Sequence, residues 1–174
     1  GTDEVLRSTR GGITMKLTVL GTGNAAVTEY FNTCFVLSDN HRHFLVDGGG
    51  GNRILKALKD AQVPLEEIHD IFLTHEHLDH ILGVIWLIRM IGQKMNQGKY
   101  EGDLRIYCHS DLVNKVVTIA ELTIQKKVTK HIGESIFTKS WQTRSGIRRY
   151  IPRSKARLLP LQLVCILPRN SCRN

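Results

Sequence analysis

Thr74-His75-Glu76-His77-Leu78-Asp79-His80 follows directly on the apolar run Ile71-Phe72-Leu73. Three imidazoles and the Asp79 carboxylate stand in this short loop, a donor set suited to borderline metals such as zinc, manganese or iron. The apolar run reads as a strand buried on both faces, and α/β folds place their chemistry at the carboxyl ends of strands. On an extended segment His75 and His77 point to the same side, because side-chain direction repeats every two residues. Two such nitrogens meet one ion at about 2.0–2.1 Å. Asp79 and His80, in the turn entering a helix, aim at a second ion; two ions about 3.5–4 Å apart share a bridging water and lower its pKa. Asp79 also reads as the group that holds that water's proton. The bland alternative is a polar loop whose histidines only cap a helix, and the pattern HxHxDH after an apolar strand disfavours it. Glu76, between two ligands, is expected to point away into solvent or onto the scaffold.

Upstream, Lys16–Leu20 reads as a strand, Gly21-Thr22-Gly23-Asn24 as a tight turn, and Asn32–Leu37 and His43–Val46 as a hairpin closed at Asp39-Asn40. The third strand ends at Asp47, which is placed to support a ligand histidine, His75 or His77, since ligand imidazoles pass their other N–H to a carboxylate or carbonyl. A turn aspartate is the competing reading. Gly48-Gly49-Gly50-Gly51 permits close approach of strand and helix; it is no phosphate-binding loop, because the Lys-Ser/Thr that would follow is missing. Asn52 is a plausible N-cap for a helix through Leu58. Pro64–His69 is a linker and Asp70–Leu73 the next strand. A helix then runs from Asp79 or His80 to Ile91, with Ile81, Ile85, Leu87, Ile88 and Ile91 inward. Leu104–Tyr107 reads as a strand, Ser110 or Asp111 as the cap of a helix running to Leu122, and one more short element ends near Phe137.

Composition bounds the rest. At 174 residues and 41% hydrophobic the chain can fold as one domain with a real core. No run is long and apolar enough to span a bilayer; the best, Ile81 to Ile91, is short and carries Arg89. Cys34, Cys108, Cys165 and Cys172 lack tight paired spacing, so neither a disulfide framework nor a thiolate zinc site is indicated, and a cytoplasmic protein is expected. The formal charge of +8 is not spread evenly. Residues 1–140 carry 16 basic and 16 acidic residues, whereas 141–174 carry eight basic and no acidic ones. Residues 1–14 are polar and aperiodic and read as an expression leader. Residues 15–140 read as the domain. Residues 141–174 form an atypical basic tail holding three of the four prolines, either a natural extension or an out-of-frame end.

The motifs together resemble the metallo-β-lactamase superfamily, closest to its phosphodiesterase branch that includes ribonuclease Z. The resemblance spans Met15 to about Lys139. It rests on Leu20-Gly21-Thr22-Gly23, on Leu45-Val46-Asp47-Gly48-Gly49, and above all on Ile71 to His80 with Leu82-Gly83. It implies an α/β (α+β by some schemes) αββα sandwich. It also implies His75 and His77 as ligands of a first zinc, and Asp79 and His80 as ligands of a second. Asp79 would be the general base and Asp47 the supporting aspartate. Such enzymes draw a further histidine, a bridging aspartate and a last histidine from a second sheet. Here only His109, His131, Asp103 and Asp111 follow the loop, none in a matching segment. The expectation is therefore an incomplete second half, a half-site of weak or no activity, and an apolar face that favours a homodimer.

On function, the leading expectation is a metal-dependent phosphodiesterase, ribonuclease Z-like and acting in tRNA 3′ processing, with one or two zinc ions (manganese or iron as substitutes). Its partner would be RNA, a tRNA precursor, or a small phosphodiester, with no membrane. Hydrolysis of thioesters, lactams or lactones is the second expectation. A non-enzymatic nucleic-acid binder is the third, using the basic tail with Trp141 and Tyr150 for stacking.

Overall fold

The computed structural model describes residues 6–10 and 13–141. Strands β1 (Leu6–Arg10), β2 (Ile13–Gly21), β3 (Cys34–Asp39) and β4 (Arg42–Val46) form an antiparallel meander. Helix α1 (Arg53–Asp60) and a short 3-10 turn (Leu65–Glu67) then cross to β5 (Ile68–Phe72), parallel to β4. Helix α2 (Leu78–Asn96) leads to β6 (Leu104–His109), and α3 (Ser110–Thr123) with α4 (Lys126–Thr129) leads to β7 (Ile136–Trp141). The result is one mixed seven-stranded sheet in the order β1-β2-β3-β4-β5-β6-β7.

Successive parallel crossovers that step in one direction across a sheet put their helices on one face, because each crossover has the same hand. Burial follows that rule. Cys34 and Val36 of β3, Leu45 of β4, Ile71 of β5 and Leu104, Ile106 and Cys108 of β6 join one core with Ile54, Leu58, Ile81, Val84, Leu87, Ile88, Ile91, Leu112 and Val116 of the helices. Every inward position expected of α2 is buried. The alternate residues Phe35, Leu37, Phe44, Phe72 and Tyr107 lie on the opposite face and are half-buried. On that face Arg105 grips Asp70 with two hydrogen bonds of 2.7 Å, Nε to Oδ1 and a terminal guanidinium nitrogen to Oδ2. Burial, with the Asp70 charge beside it, pushes the Tyr107 phenol up to about 12.

Several boundaries differ from the sequence expectation. A strand at Leu6–Arg10 pairs with β2 inside the stretch read as aperiodic, since β1 is an edge strand and its polar residues hid the alternation. Helix α2 continues past Ile91 to Asn96 through the polar residues Gln93, Lys94 and Asn96, which no apolar stripe marks. Ser110 and Asp111 are inside α3, whose N-cap is His109; its Nδ1 accepts from the Asp111 N–H at 3.3 Å. Asn52 does stand at the N-cap of α1 but makes no side-chain capping bond. The basic tail from residue 142 lies outside the described residues. Among those described, no helix is long and apolar enough to cross a membrane.

Candidate metal centre

The parallel strands β4 and β5 end side by side, and the Asp47 N–H donates to the Phe72 carbonyl at 2.8 Å. Asp47 there takes a left-handed backbone conformation, φ +60°. That conformation is uncommon but tolerated best by Asn and Asp among side-chain-bearing residues. It turns the chain into the glycine loop and leaves the Asp47 carboxylate beneath the histidine loop, only 5% exposed. Backbone then locks the two loops together. The Gly48 N–H donates to the His80 carbonyl at 3.0 Å and the Gly83 N–H to the Gly49 carbonyl at 2.9 Å. A Cβ on Gly83 would stand 1.7 Å from the Gly48 carbonyl oxygen, and one on Gly48 would stand 2.4 Å from the Val84 nitrogen. The close strand–helix approach expected of the glycine run is thus real, and Gly83 on α2 is its other half.

Within this frame the loop residues come together. The His75 ring lies 3.9 Å from that of His80 and 4.7 Å from that of His77, centroid to centroid, so the two loop imidazoles expected to converge do not diverge. Asp79 Oδ2 stands 3.2 Å from His80 Nε2. The other face of His80 is taken: its Nδ1 lies 2.8 Å from Asp47 Oδ2. Asp47 also accepts the Thr74 N–H on Oδ1 and the Thr74 hydroxyl on Oδ2, each at 2.8 Å. The aspartate expected under His75 or His77 therefore sits under His80, because the first turn of α2 swings that ring back over the end of β4. Glu76 faces outward, where Lys115 of α3 donates to it at 2.8 Å and holds its carboxyl below the usual range. Thr74 was not singled out by the sequence reading; its position between an apolar strand and the first histidine was the available signal.

The donor set fits a zinc-class ion. His80 Nδ1 donates to Asp47 and its Nε2 stands beside the Asp79 carboxylate, an imidazole–carboxylate pairing of the kind a zinc-class ion takes. Among the described residues, however, no three such side chains converge tightly enough to cage an ion as they stand. His75, His77, Asp79 and His80 gather at the loop without enclosing a coordination sphere. Elsewhere, Cys34 and Cys108 are buried free thiols, and burial pushes the former up to about 12 and the latter to about 11. Those thiols are inert packing, not ligands.

Comparison with known proteins agrees with this geometry. The family model described as "Anti-Pycsar protein Apyc1" matches residues 15–140. The protein of that name from Bacillus phage BSP38 is 38% identical over 72 residues, 41% of this chain and 27% of its own length. Ribonuclease Z of Methanococcus aeolicus is 33% identical over 121 residues, 67% of this chain and 36% of that enzyme. Among solved structures, the metallo-β-lactamase fold protein YhfI from Bacillus subtilis superposes with a TM-score of 0.54 at 25% identity, covering 74% of this chain and 47% of YhfI. The chain thus spans less than half the length of each. With the loop geometry and a match over the whole of residues 15–140, the chain belongs to the Anti-Pycsar protein Apyc1 family and has the metallo-β-lactamase fold.

Proposed function

We propose that this chain carries one wall of the metal centre of a phosphodiester hydrolase of the ribonuclease Z kind, with RNA, first a tRNA precursor, as substrate. The observation that supports this best is the packing of His75, His77, Asp79 and His80 at the carboxyl edge of β5 over the buried Asp47. The names borne by the relatives, a ribonuclease among them, favour phosphodiesters over acyl substrates. Zinc would be held by His75 and His77, and by Asp79 and His80, and would supply Lewis acidity for the phosphoryl oxygens and lower the pKa of a water. The chain's own part is orientation and proton handling. Asp79, second residue of α2 and only 13% exposed at its side chain, takes a proton at Oδ from the attacking water and keeps that water's lone pair aimed at phosphorus. Asp47 keeps the His80 ring in place while that happens. The described residues do not test the homodimer, and the basic tail lies outside them.

The test is calorimetric and kinetic. The 174-residue chain binds zinc, and His77→Ala and Asp79→Asn each weaken binding by about 10-fold or more. Asp79→Asn removes whatever turnover of bis(p-nitrophenyl) phosphate the chain shows. No zinc binding sinks the metal reading. Lactone or thioester turnover above phosphodiester turnover sinks the substrate class.

A further inference from the structure

We infer that Thr74 is a positioning residue whose hydroxyl carries the hold of Asp47 from His80 on to His75, so that one buried carboxylate sets the tautomer of two candidate ligand rings. The inference rests on the metal-centre reading above for its purpose, and on hydrogen bonding alone for its geometry. Thr74 Oγ1 stands 2.8 Å from Asp47 Oδ2 and 2.9 Å from His75 Nδ1. A hydroxyl has one hydrogen, and an ionised carboxylate only accepts. The hydrogen of Thr74 is therefore given to Asp47, and the contact with His75 has to run the other way, with Nδ1–H of His75 donating to Oγ1. His80 Nδ1 donates to the same Asp47 Oδ2 at 2.8 Å. In its neutral form each ring thereby carries its hydrogen on Nδ1 and its lone pair on Nε2, the nitrogen it would offer to an ion.

The chain of bonds is anchored at its far end. Thr74 N–H donates to Asp47 Oδ1, which sets the carboxylate plane and leaves Oδ2 to serve the two side chains. Thr74 itself is exposed, so its removal costs little packing and a variant keeps the fold. A valine has nearly the shape of threonine and no hydroxyl, so it deletes the relay alone. His77 is outside the relay: its ring packs edge-on against His75 and makes no contact with Asp47 or Thr74 among the hydrogen bonds of the described site.

The experiment reads ring nitrogens directly. Long-range proton–nitrogen spectra of the metal-free 174-residue chain, at a pH where imidazoles are neutral, report the tautomer of each histidine. The wild type shows Nδ1–H at both His75 and His80. Thr74→Val moves His75 toward Nε2–H, leaves His80 unchanged, and weakens zinc binding by about 10-fold or more. Thr74→Ser, which keeps the hydroxyl, restores both. An Nε2–H tautomer at His75 in the wild type overturns the inference, as does an unmoved His75 in Thr74→Val or a failure of Thr74→Ser to rescue. The unchanged His80 signal certifies the fold of each variant. If the tautomers behave as stated and no variant or wild type binds zinc, the relay stands and the metal reading falls.

Discussion

Gly83 shows how a single missing carbon can outweigh helix propensity. Replacing a helix-interior glycine by alanine favours the helix by about 1 kcal/mol. Here the added Cβ would lie 1.7 Å from a carbonyl oxygen of the loop after β4, and neither backbone can step aside without breaking the bonds from Gly48 to His80 and from Gly83 to Gly49. Overpacking of that kind costs about 1–3 kcal/mol and sometimes more. Gly83→Ala is expected to destabilise the chain by about 2 kcal/mol or more in urea unfolding and to weaken zinc binding, since α2 carries Asp79 and His80. Gly92→Ala is the comparison. Its Cβ meets a Val128 methyl at 2.5 Å, a side chain with more room to give than backbone, so the loss is smaller. At this scale the histidines and Asp79 were legible because their chemistry is written in residue type and spacing. Thr74 and the partner of Asp47 were not, since which ring lies over a carboxylate depends on the turn between β5 and α2.

At the scale of elements, β4 carries chemistry at both ends, and the end remote from Asp47 is the pH-sensitive one. His43, the second residue of the strand, has a side chain only 9% exposed; its Nδ1 meets the Ser38 hydroxyl at 2.8 Å and its Nε2 meets Glu67 at 3.0 Å. Burial is the largest influence and depresses its pKa, Glu67 pulls the other way, and His41 and Lys16 add to the depression. The folded value lies below that of the unfolded chain, so the unfolded state takes up the proton first. The contribution of His43 to stability is therefore whole above the ordinary imidazole pKa of about 6.5, and it is lost as the pH falls through the lower, folded value. Urea midpoints measured from neutral to mildly acidic pH are expected to fall, and His43→Asn to flatten that slope; an unchanged slope would assign the effect to other groups. The order of elements was readable from periodicity and punctuation, as β3, β4, α1, β6 and α3 show. What escaped was pairing-driven: β1 is strand because β2 offers it hydrogen bonds, and β7 because β6 does, not because either sequence alternates strongly.

For the whole molecule, the decisive asymmetry is between the two faces of the sheet. Helices α1, α2 and α3 bury one face completely, while Leu17, Val19, Phe35, Leu37, Phe44, Phe72 and Tyr107 remain half-buried on the other. Phe44 and Tyr107 stack there at 6.5 Å, and the Asp70–Arg105 pair sits between strands among them. The family resemblance foresaw this face, because a sandwich needs it dry; composition alone did not, because 41% hydrophobic content does not say on which side of a sheet the residues fall. An apolar sheet face of this kind suits a contact surface. The 174-residue chain is accordingly expected to bind the apolar dye anilinonaphthalene sulfonate. Leu37 is the place to test it, since it is flanked across the ladder by Leu17 and Phe44 and contributes no buried core contact on the helical side. Leu37→Lys lowers dye fluorescence while leaving the urea midpoint nearly in place, because a lysine there keeps its stem on the sheet and its ammonium in water. Full dye binding in that variant would mean the apolar surface lies elsewhere, and a collapsed midpoint would mean the face is already packed.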